Sequence, residues 1–477
     1  MFVGRKNEMK TLQAMTSNPL AQVAVLYGRR RIGKSALIRE ALQNTGKILF
    51  FEGLEEQSQS AQIDNFLFQL RQQISWSPPS KTPSSWRECL SLLTPILKKE
   101  KYFIVFDEFQ WMANYRHTLV SDLKMIWDQY WSKSKVQGLI LCGSIASFMV
   151  RDVIKSKAFY GRIQTIIHLK DLQPKDVREL LPKRSSQETL LNMMHFGGIP
   201  LYLRQAQEYL SLSDAINHLG FKPNGYLVDE YQRIFLSHFG KSQNYRRLIE
   251  YLGKHMHGVS RKKTSEDLGI SVGGTLSLML DDLESAGFIS AYTPFDKPEN
   301  ARLRKYHLTD PYINFYFSFI KGNLKQINAN TNGHSSGDLF SYIQATPKYL
   351  SWLGWAFENF CVRHPHLIAA ALGFSGINYR CGPYFKAKTI DQPAMQIDLL
   401  FDRGDQTIVV CEMKYSMSPI GLSVAKETEK KVEILRSITK KTIVTVLVTN
   451  SLPSRELQKS NYFYKIIDIE ALMLCAN

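Results

Sequence analysis

One loop constrains this chain more than any other feature. Gly28-Arg29-Arg30-Arg31-Ile32-Gly33-Lys34-Ser35 sits between the apolar run Val23 to Tyr27 and the stretch Ala36-Leu37-Ile38-Arg39-Glu40-Ala41-Leu42. The apolar run reads as a short buried strand, and the stretch after the loop is rich in strong helix formers. Strand, glycine loop and helix in that order make a P-loop. Its glycines let backbone N–H groups wrap phosphate oxygens at a helix N-terminus, the Lys34 ammonium reaches the β and γ oxygens, and the Ser35 hydroxyl can ligate magnesium. Gly28, Arg31, Gly33, Lys34, Ser35 and Ala36 are therefore expected to hold ATP with Mg2+, on a parallel α/β sheet.

Downstream, Tyr102-Phe103-Ile104-Val105-Phe106 reads as a second buried strand that ends in Asp107-Glu108. The first acid would hold magnesium beside Ser35, and the second would orient or deprotonate the attacking water. A third run, Gly138 to Cys142, leads through Gly143 to Ser144. Ser144 is either a polar sensor of the γ-phosphate or a simple helix N-cap.

At 477 residues the chain is too long for one ordinary core, and about 150 residues per domain suggests roughly three domains. An apolar fraction of 44% suits packed cores, and no run approaches the ~20 apolar residues that span a bilayer. Met1 to Lys6 lack a signal peptide's apolar run and cleavage site, so a cytoplasmic protein with no membrane partner is expected. The six cysteines include no Cys-x-x-Cys pair, which argues against a zinc site or a disulfide framework. A formal charge of +17 favours a polyanionic partner such as DNA. A merely basic protein is the alternative.

Three further segments carry a resemblance: Phe2-Val3-Gly4-Arg5-Lys6-Asn7-Glu8, Phe159-Tyr160-Gly161-Arg162 and Gly197-Gly198-Ile199-Pro200-Leu201-Tyr202-Leu203. With the P-loop, they resemble the archaeal and bacterial ATPase family related to AAA+ and STAND proteins, over roughly the first half of the chain. The resemblance implies an adenine-side role for the segment around Arg5. It also makes Arg162 a candidate γ-phosphate finger or sensor, where a guanidinium would stabilise charge developing during phosphoryl transfer. Whether Arg162 would act in its own subunit or in a neighbour of a homo-oligomer stays open, as does a plain surface arginine in a turn.

Tyr245 to Met256, Lys263 to Leu268 and Val272 to Ala286 read as three helices, followed by strands at Gly287 to Tyr292 and Leu303 to Leu308. That order is a winged helix. Arg261, Lys262, Lys263, Arg302, Arg304 and Lys305 could contact DNA phosphates. The third helix carries Asp281, Asp282 and Glu284 with no Arg or Lys, which argues against base reading. A protein-binding or lid role is the alternative.

Gly322 to Gly337, rich in Asn, Ser and Gly, reads as a linker. Beyond it, Gln396 to Phe401 and Thr407 to Lys414 are two strands around a turn centred on Asp405. That register sets Asp398 opposite Glu412, with Lys414 on the same face as Glu412. Two carboxylates and a lysine converging there could bind magnesium and position a water for phosphodiester cleavage. Glu-x-Lys recurs about once or twice by chance in a chain of this size, so the register carries the reading. Together with Glu358 on the helical segment Trp352 to Cys361, the set resembles the PD-(D/E)xK nuclease superfamily, with Ile397 where that name has Pro. The region, including Tyr306 to Tyr312, also looks like the domain of unknown function that follows this ATPase family. A salt-bridged strand edge, or such a fold without activity, is the alternative.

The expectation is an α/β multidomain chain: a P-loop NTPase parallel-sheet core over 1–210, a helical lid and winged-helix domain over 211–320, a linker over 321–340, and a restriction-endonuclease-like α/β domain over 341–477. Its candidate catalytic residues are Glu108, Arg162, Glu358, Asp398, Glu412 and Lys414, and its candidate metal ligands are Ser35, Asp107, Asp398 and Glu412. Nucleotide contacts fall to Arg5, the loop residues, Asp107 and Ser144. The function expected is an ATPase that controls a Mg-dependent DNA nuclease. The alternative is a STAND-like nucleotide switch that binds DNA or protein.

Overall fold

Val23 to Leu26 are fully buried, and they form the middle of a strand, β1 (Gln22–Tyr27), with parallel neighbours on both sides. The computed structural model describes residues 2–44, 46–75, 82–255, 258–271, 273–293, 304–329, 339–386 and 394–474. Contacts divide the chain into two units, Met1–Asp171 and Leu172–Asn477.

In the first unit β2 (Lys47–Glu52), β3 (Tyr102–Asp107), β4 (Val136–Gly143) and β5 (Ile163–His168) join β1 in an all-parallel sheet of order β2-β3-β4-β1-β5. Strands covered on both faces need near-continuous apolar sequence, and β3 is buried at all six positions. One face packs Val25, Phe51, Ile104, Phe106 and Leu141 against Phe66, Trp86, Leu93 and Leu123 from the flanking helices. Each such side chain contributes roughly 1.5–3 kcal/mol of burial. The sheet thereby fixes its strand ends, where the loop after β1 and the acids after β3 lie. This is the expected P-loop-type parallel core.

The second unit holds two further sheets. The helices Gln243–Gly253, Arg261–Leu268 and Gly274–Ser285 accompany a small antiparallel sheet of order β6-β8-β7, made of β6 (Val259–Ser260), β7 (Ile289–Tyr292) and β8 (Lys305–Leu308). The predicted start at Val272, the strand start at Leu303 and Arg302 lie outside the described residues. The other sheet runs β13-β12-β11-β10-β9, from β9 (Tyr379–Lys386), β10 (Met395–Arg403), β11 (Thr407–Lys414), β12 (Thr442–Thr449) and β13 (Lys465–Ile467). β9, β10 and β11 are antiparallel neighbours, whereas β11 and β12 are parallel. The crossover between those two is the helix Ser423–Arg436. No helix among the described residues is long and apolar enough to cross a membrane.

Contacts group two of the expected segments in other ways. Residues 172–210, expected at the end of the ATPase core, cluster with the second unit, where His195 on the helix Ser186–Phe196 meets the rings of Phe315, Phe340 and Trp352. Within the expected linker, Leu324–Ala329 is helical because Leu324 and Ile327 share a face and Ile327 is buried; residues 330–338 lie outside the described residues.

His195 is the polar centre of that packing. Fully buried, it hydrogen-bonds the Leu191 carbonyl at 2.7 Å through Nδ1 and the Tyr349 hydroxyl at 2.9 Å through Nε2. Burial pushes its pKa down to about 4, so the ring stays neutral. His195→Phe keeps the ring but removes one of the Tyr349 hydroxyl's partners, leaving Gln344, and urea unfolding should show a loss of about 0.5–1.5 kcal/mol. An unchanged midpoint would mean that the ring alone, not its hydrogen bonds, carries the packing.

Candidate functional site

The loop after β1 closes on itself. Gly28 packs so tightly that a Cβ there would come within 2.3 Å of the Leu169 carbonyl oxygen, and Gly33 sits at φ 92°, a left-handed conformation that favours glycine. Lys34, buried at the start of the helix Lys34–Leu42, donates to the carbonyls of Gly28 at 3.0 Å and Arg29 at 3.1 Å. The ammonium thus stands where β and γ oxygens would replace those carbonyls, at the positive end of a helix. Arg31 is also left-handed, at φ 69°, and Ala36 is exposed on the helix. Arg5 is buried, and its guanidinium donates to the Ile32 carbonyl at 3.4 Å, which sets it against the loop.

The acids at the end of β3 face this loop. The Ser35 hydroxyl donates to Asp107 Oδ2, so the two expected magnesium ligands already share a proton. A hydroxyl and a carboxylate oxygen in contact fit the hard-oxygen preference of Mg2+. Glu108 takes a left-handed turn, φ 48°, directly after the strand. Its Oε2 accepts from the Ser144 hydroxyl at 2.6 Å and backbone N–H at 3.3 Å, and also from Gln110 Nε2. Burial pushes Glu108 up, but Lys34, the hydrogen bonds from Ser144 and Gln110, and Arg30 outweigh it, and the carboxyl sits below its ordinary value. Glu52, paired with Asp107 across β2 and β3, goes the other way: burial first, then Asp107 and Glu108, push it up.

Ser144 is not a helix cap; the helix Ala146–Phe148 begins at Ile145 without a side-chain cap, and Ser144 holds Glu108 instead. Gln110 and Glu52 were not anticipated. The signals for them are faint: a glutamine two residues beyond the acid pair, and an acid ending the neighbouring apolar strand. Arg162 forms two hydrogen bonds to Asp128, of 2.7 and 2.9 Å, and Lys124 joins the same carboxylate at 3.0 Å. A finger role for Arg162 therefore begins with release of that pair.

A second cluster lies in the other unit. β10 and β11 pair with Leu399 opposite Cys411, so the register continues to Asp398 and Glu412 around a turn centred on Asp405. Asp398 Oδ2 accepts from the Met413 backbone N–H at 3.2 Å. Between Ile397 and Leu400 the pairing with β9 shifts by one residue, and the residue opposite is Pro383. Proline has no N–H for the ladder, and the resulting bulge re-aims Asp398. Glu412 is buried, bonded by Lys414 at 2.8 Å and Lys431 at 2.7 Å.

Three acids against two lysines leave a surplus negative charge. Burial, then the charges of Asp398 and Glu412 working against Lys414 and Lys431, push Glu358 up to about 8. Burial and Glu412 likewise push Asp398 up. Lys414 is held above its ordinary value, because Glu412, Asp398 and Glu358 outweigh its burial. Among the described residues no three His, Cys, Asp or Glu side chains are grouped closely enough to form a ready metal site. Magnesium asks for less, since one or two carboxylates plus phosphate oxygens commonly hold it. Lys431 was missed, although Val424, Thr428, Lys431 and Leu435 follow one helical stripe whose other three members are buried.

The expected phosphate contacts near the small sheet are engaged within the chain. Arg304 bonds Glu284 at 3.0 Å, Arg261 bonds Ser277 at 2.8 Å, and Lys305 lies 3.8 Å over the Phe385 ring. Lys262 and Lys263 pair with Glu266 and Asp267 at 3.8 and 3.2 Å.

Residues 2–205 match a family described as an ATPase domain predominantly from Archaea. Over 361 residues the chain is 26% identical to an uncharacterized protein of Methanocaldococcus jannaschii, MJECL04, covering 75% of this chain and 76% of that protein. An uncharacterized ATP-binding protein of the same organism, MJ0423, is 46% identical over 44 residues, 9% of this chain and 75% of that one. Among solved structures, the Walker-type ATPase paby2304 of Pyrococcus abyssi is similar at 17% identity and a TM-score of 0.47, with 66% of this chain and 96% of that chain covered. The ORC2 protein of Aeropyrum pernix is similar at 14% identity and a TM-score of 0.44, with 69% and 95% covered.

Two outcomes follow from the titrations. Ser144→Ala and Gln110→Leu remove donors that keep Glu108 ionised, so the acid limb of ATP hydrolysis should move to higher pH in both; a profile that merely drops in height would deny them that role. Glu358 has a folded pKa above its unfolded one, so its contribution to stability is full below about 4.5 and is lost as pH rises through about 8. Thermal melts from pH 5 to 8 should therefore fall less steeply for Glu358→Gln than for the wild type, and parallel curves would contradict the charge surplus.

Proposed function

We propose that this chain, whose residues 2–205 match an ATPase domain predominantly from Archaea, hydrolyses ATP with magnesium to control a Mg-dependent DNA nuclease in its carboxy-terminal part. The observation that carries the second half is the surplus of buried carboxylate around Lys414, at the bulge on β10. In the ATPase site Lys34 and the loop amides bind the β and γ phosphates, and Ser35 and Asp107 hold the metal. The Glu108 carboxylate, kept ionised, orients the attacking water and takes its proton. Arg5 lies on the loop side, and Arg162, once free of Asp128, can meet the γ-phosphate of its own subunit or of a neighbour in a homo-oligomer.

In the carboxy-terminal site Asp398 and Glu412 would hold Mg2+, which supplies charge neutralisation at the scissile phosphate. Lys414, fully protonated, donates to a non-bridging phosphate oxygen. Glu358, ionised only as pH rises through about 8, would take a proton from water in that ionised form. The order of a helix, three antiparallel strands, a helix and a parallel strand supports reading this part as a restriction-endonuclease-like domain. The helices Gln243–Gly253, Arg261–Leu268 and Gly274–Ser285 with the small sheet would serve as a winged helix touching DNA backbone through Lys262 and Lys263, a reading that the formal charge of +17 supports.

A second reading has its own observation. Both oxygens of Glu412 are already satisfied by Lys414 and Lys431, which suits a nucleotide switch whose carboxy-terminal domain binds DNA or protein without cutting it. Incubating the full chain with linear and supercoiled DNA, Mg2+ or Mn2+, with and without ATP, separates the two. Cutting is expected, abolished by Asp398→Ala and lowered about 10²–10³-fold by Lys414→Ala, with ATP hydrolysis retained by both. Intact DNA under every condition, with hydrolysis present, decides for the switch.

A further inference from the structure

Beside the acid cluster is a cavity that its chemistry does not use. It holds about 60 Å3 open to water centres, room for roughly four to six waters. Glu358 and Asp398 are part of its lining. The remaining lining is largely rings, Tyr292, Trp355, Tyr384 and Phe385, with the polar side chains of His307, Asn359 and Gln396. His307 and Asn359 are 8% and 6% exposed, and His307 Nδ1 and Asn359 Oδ1 have no hydrogen-bond partner in the protein. The Asn359 amide is held in place, because its Nδ2 donates to the Thr309 carbonyl at 3.0 Å.

Orphaned buried polar atoms are costly, and a ligand that meets them restores the loss. An apolar ligand would leave both unpaired. A flat heterocycle with donors and acceptors on its edge matches rings plus one amide oxygen and one imidazole nitrogen. Its attached sugar-phosphate then has a nearby destination in the carboxylates and Lys414. Resting on the nuclease reading of that cluster, we propose that the cavity takes one unpaired nucleobase of a DNA strand whose scissile phosphate lies at the acids. Asn359 Oδ1 accepts a hydrogen bond from the base edge, and His307 Nδ1 makes the second. The substrate class is thus DNA with an unstacked nucleotide: a single strand, an end or a flipped base.

The test uses full-length protein in a Lys34→Ala background without ATP, so that the P-loop does not report. Single-stranded oligodeoxynucleotides of one sequence are compared with a set in which each position in turn is abasic. One abasic position should weaken binding about tenfold, and 2-aminopurine there should change its fluorescence on binding. Asn359→Leu and His307→Phe should weaken the intact strand by a similar factor, yet bind that abasic strand no worse than the unaltered protein does. Equal binding of the whole abasic set, or variants that weaken intact and abasic strands alike, overturns the proposal. The abasic scan needs no pocket variant, so it decides even where a variant fails to fold. Cleavage is scored separately in protein with Lys34 intact. Cutting that ignores every abasic position removes the base pocket and keeps the nuclease, whereas base-dependent binding without cutting keeps the pocket and removes the nuclease.

Discussion

Carboxylates taken out of water side by side repel one another, and each must find a cation, a hydrogen-bond donor or a proton. Both candidate sites of this chain are solutions to that constraint. Behind the P-loop, Glu52, Asp107 and Glu108 share the ends of adjacent strands, and Lys34, Arg30, Ser144 and Gln110 favour the charged form of Glu108 over its burial. In the second unit Glu412 takes Lys414 and Lys431 for itself. Glu358 and Asp398 are left to hold protons more tightly than carboxyls ordinarily do. The first arrangement keeps Glu108 ionised. The second sets three acids against two lysines and is short of one positive charge.

Backbone geometry decides which acids meet. Parallel pairing aligns Glu52 with Asp107, and the left-handed turn at Glu108 swings its carboxylate toward Ser144 at the end of β4. On β10 the device is a missing donor: Pro383 cannot complete the ladder, the register slips, and Asp398 faces the cavity lined by Glu358 rather than the core. The left-handed Glu108 is a local cost of about 1–3 kcal/mol, held at the end of β3, which has strands on both sides. Pro383 sits on the edge strand β9, where a missing donor is tolerated.

How much of this was legible in the sequence follows from the range of each interaction. The P-loop, the acids after β3 and the hairpin of β10 and β11 were readable because each is written in one strand, turn or motif. Partners reached through tertiary packing were not. Asp128 of Arg162, Lys431 of Glu412 and Tyr349 of His195 lie 34, 19 and 154 residues away, and nothing local selects them. Packing also groups the chain differently from the expected domains: His195, on the helix Ser186–Phe196, meets rings more than a hundred residues later. Compositional bias misled at Leu324–Ala329, where two apolar residues at helical spacing outweighed the surrounding Asn and Gly.

Net charge shows a related limit. A charge of +17 says what the chain attracts, not where. The cations once expected to meet phosphate differ sharply in how free they are to do so. Lys262 and Lys263 sit in exposed i,i+4 pairs, each worth about 0.3–0.5 kcal/mol, and a phosphate could take over either lysine at little cost. Arg304, with Glu284 held at 3.0 Å and a tyrosine ring beneath it, and Lys305, half-buried against Phe385, are tied into the packing around β7 and β8. Any polyanion contact proposed for this segment would rest on the helix Arg261–Leu268 rather than on the strands. The acids of the helix Gly274–Ser285 would repel phosphate.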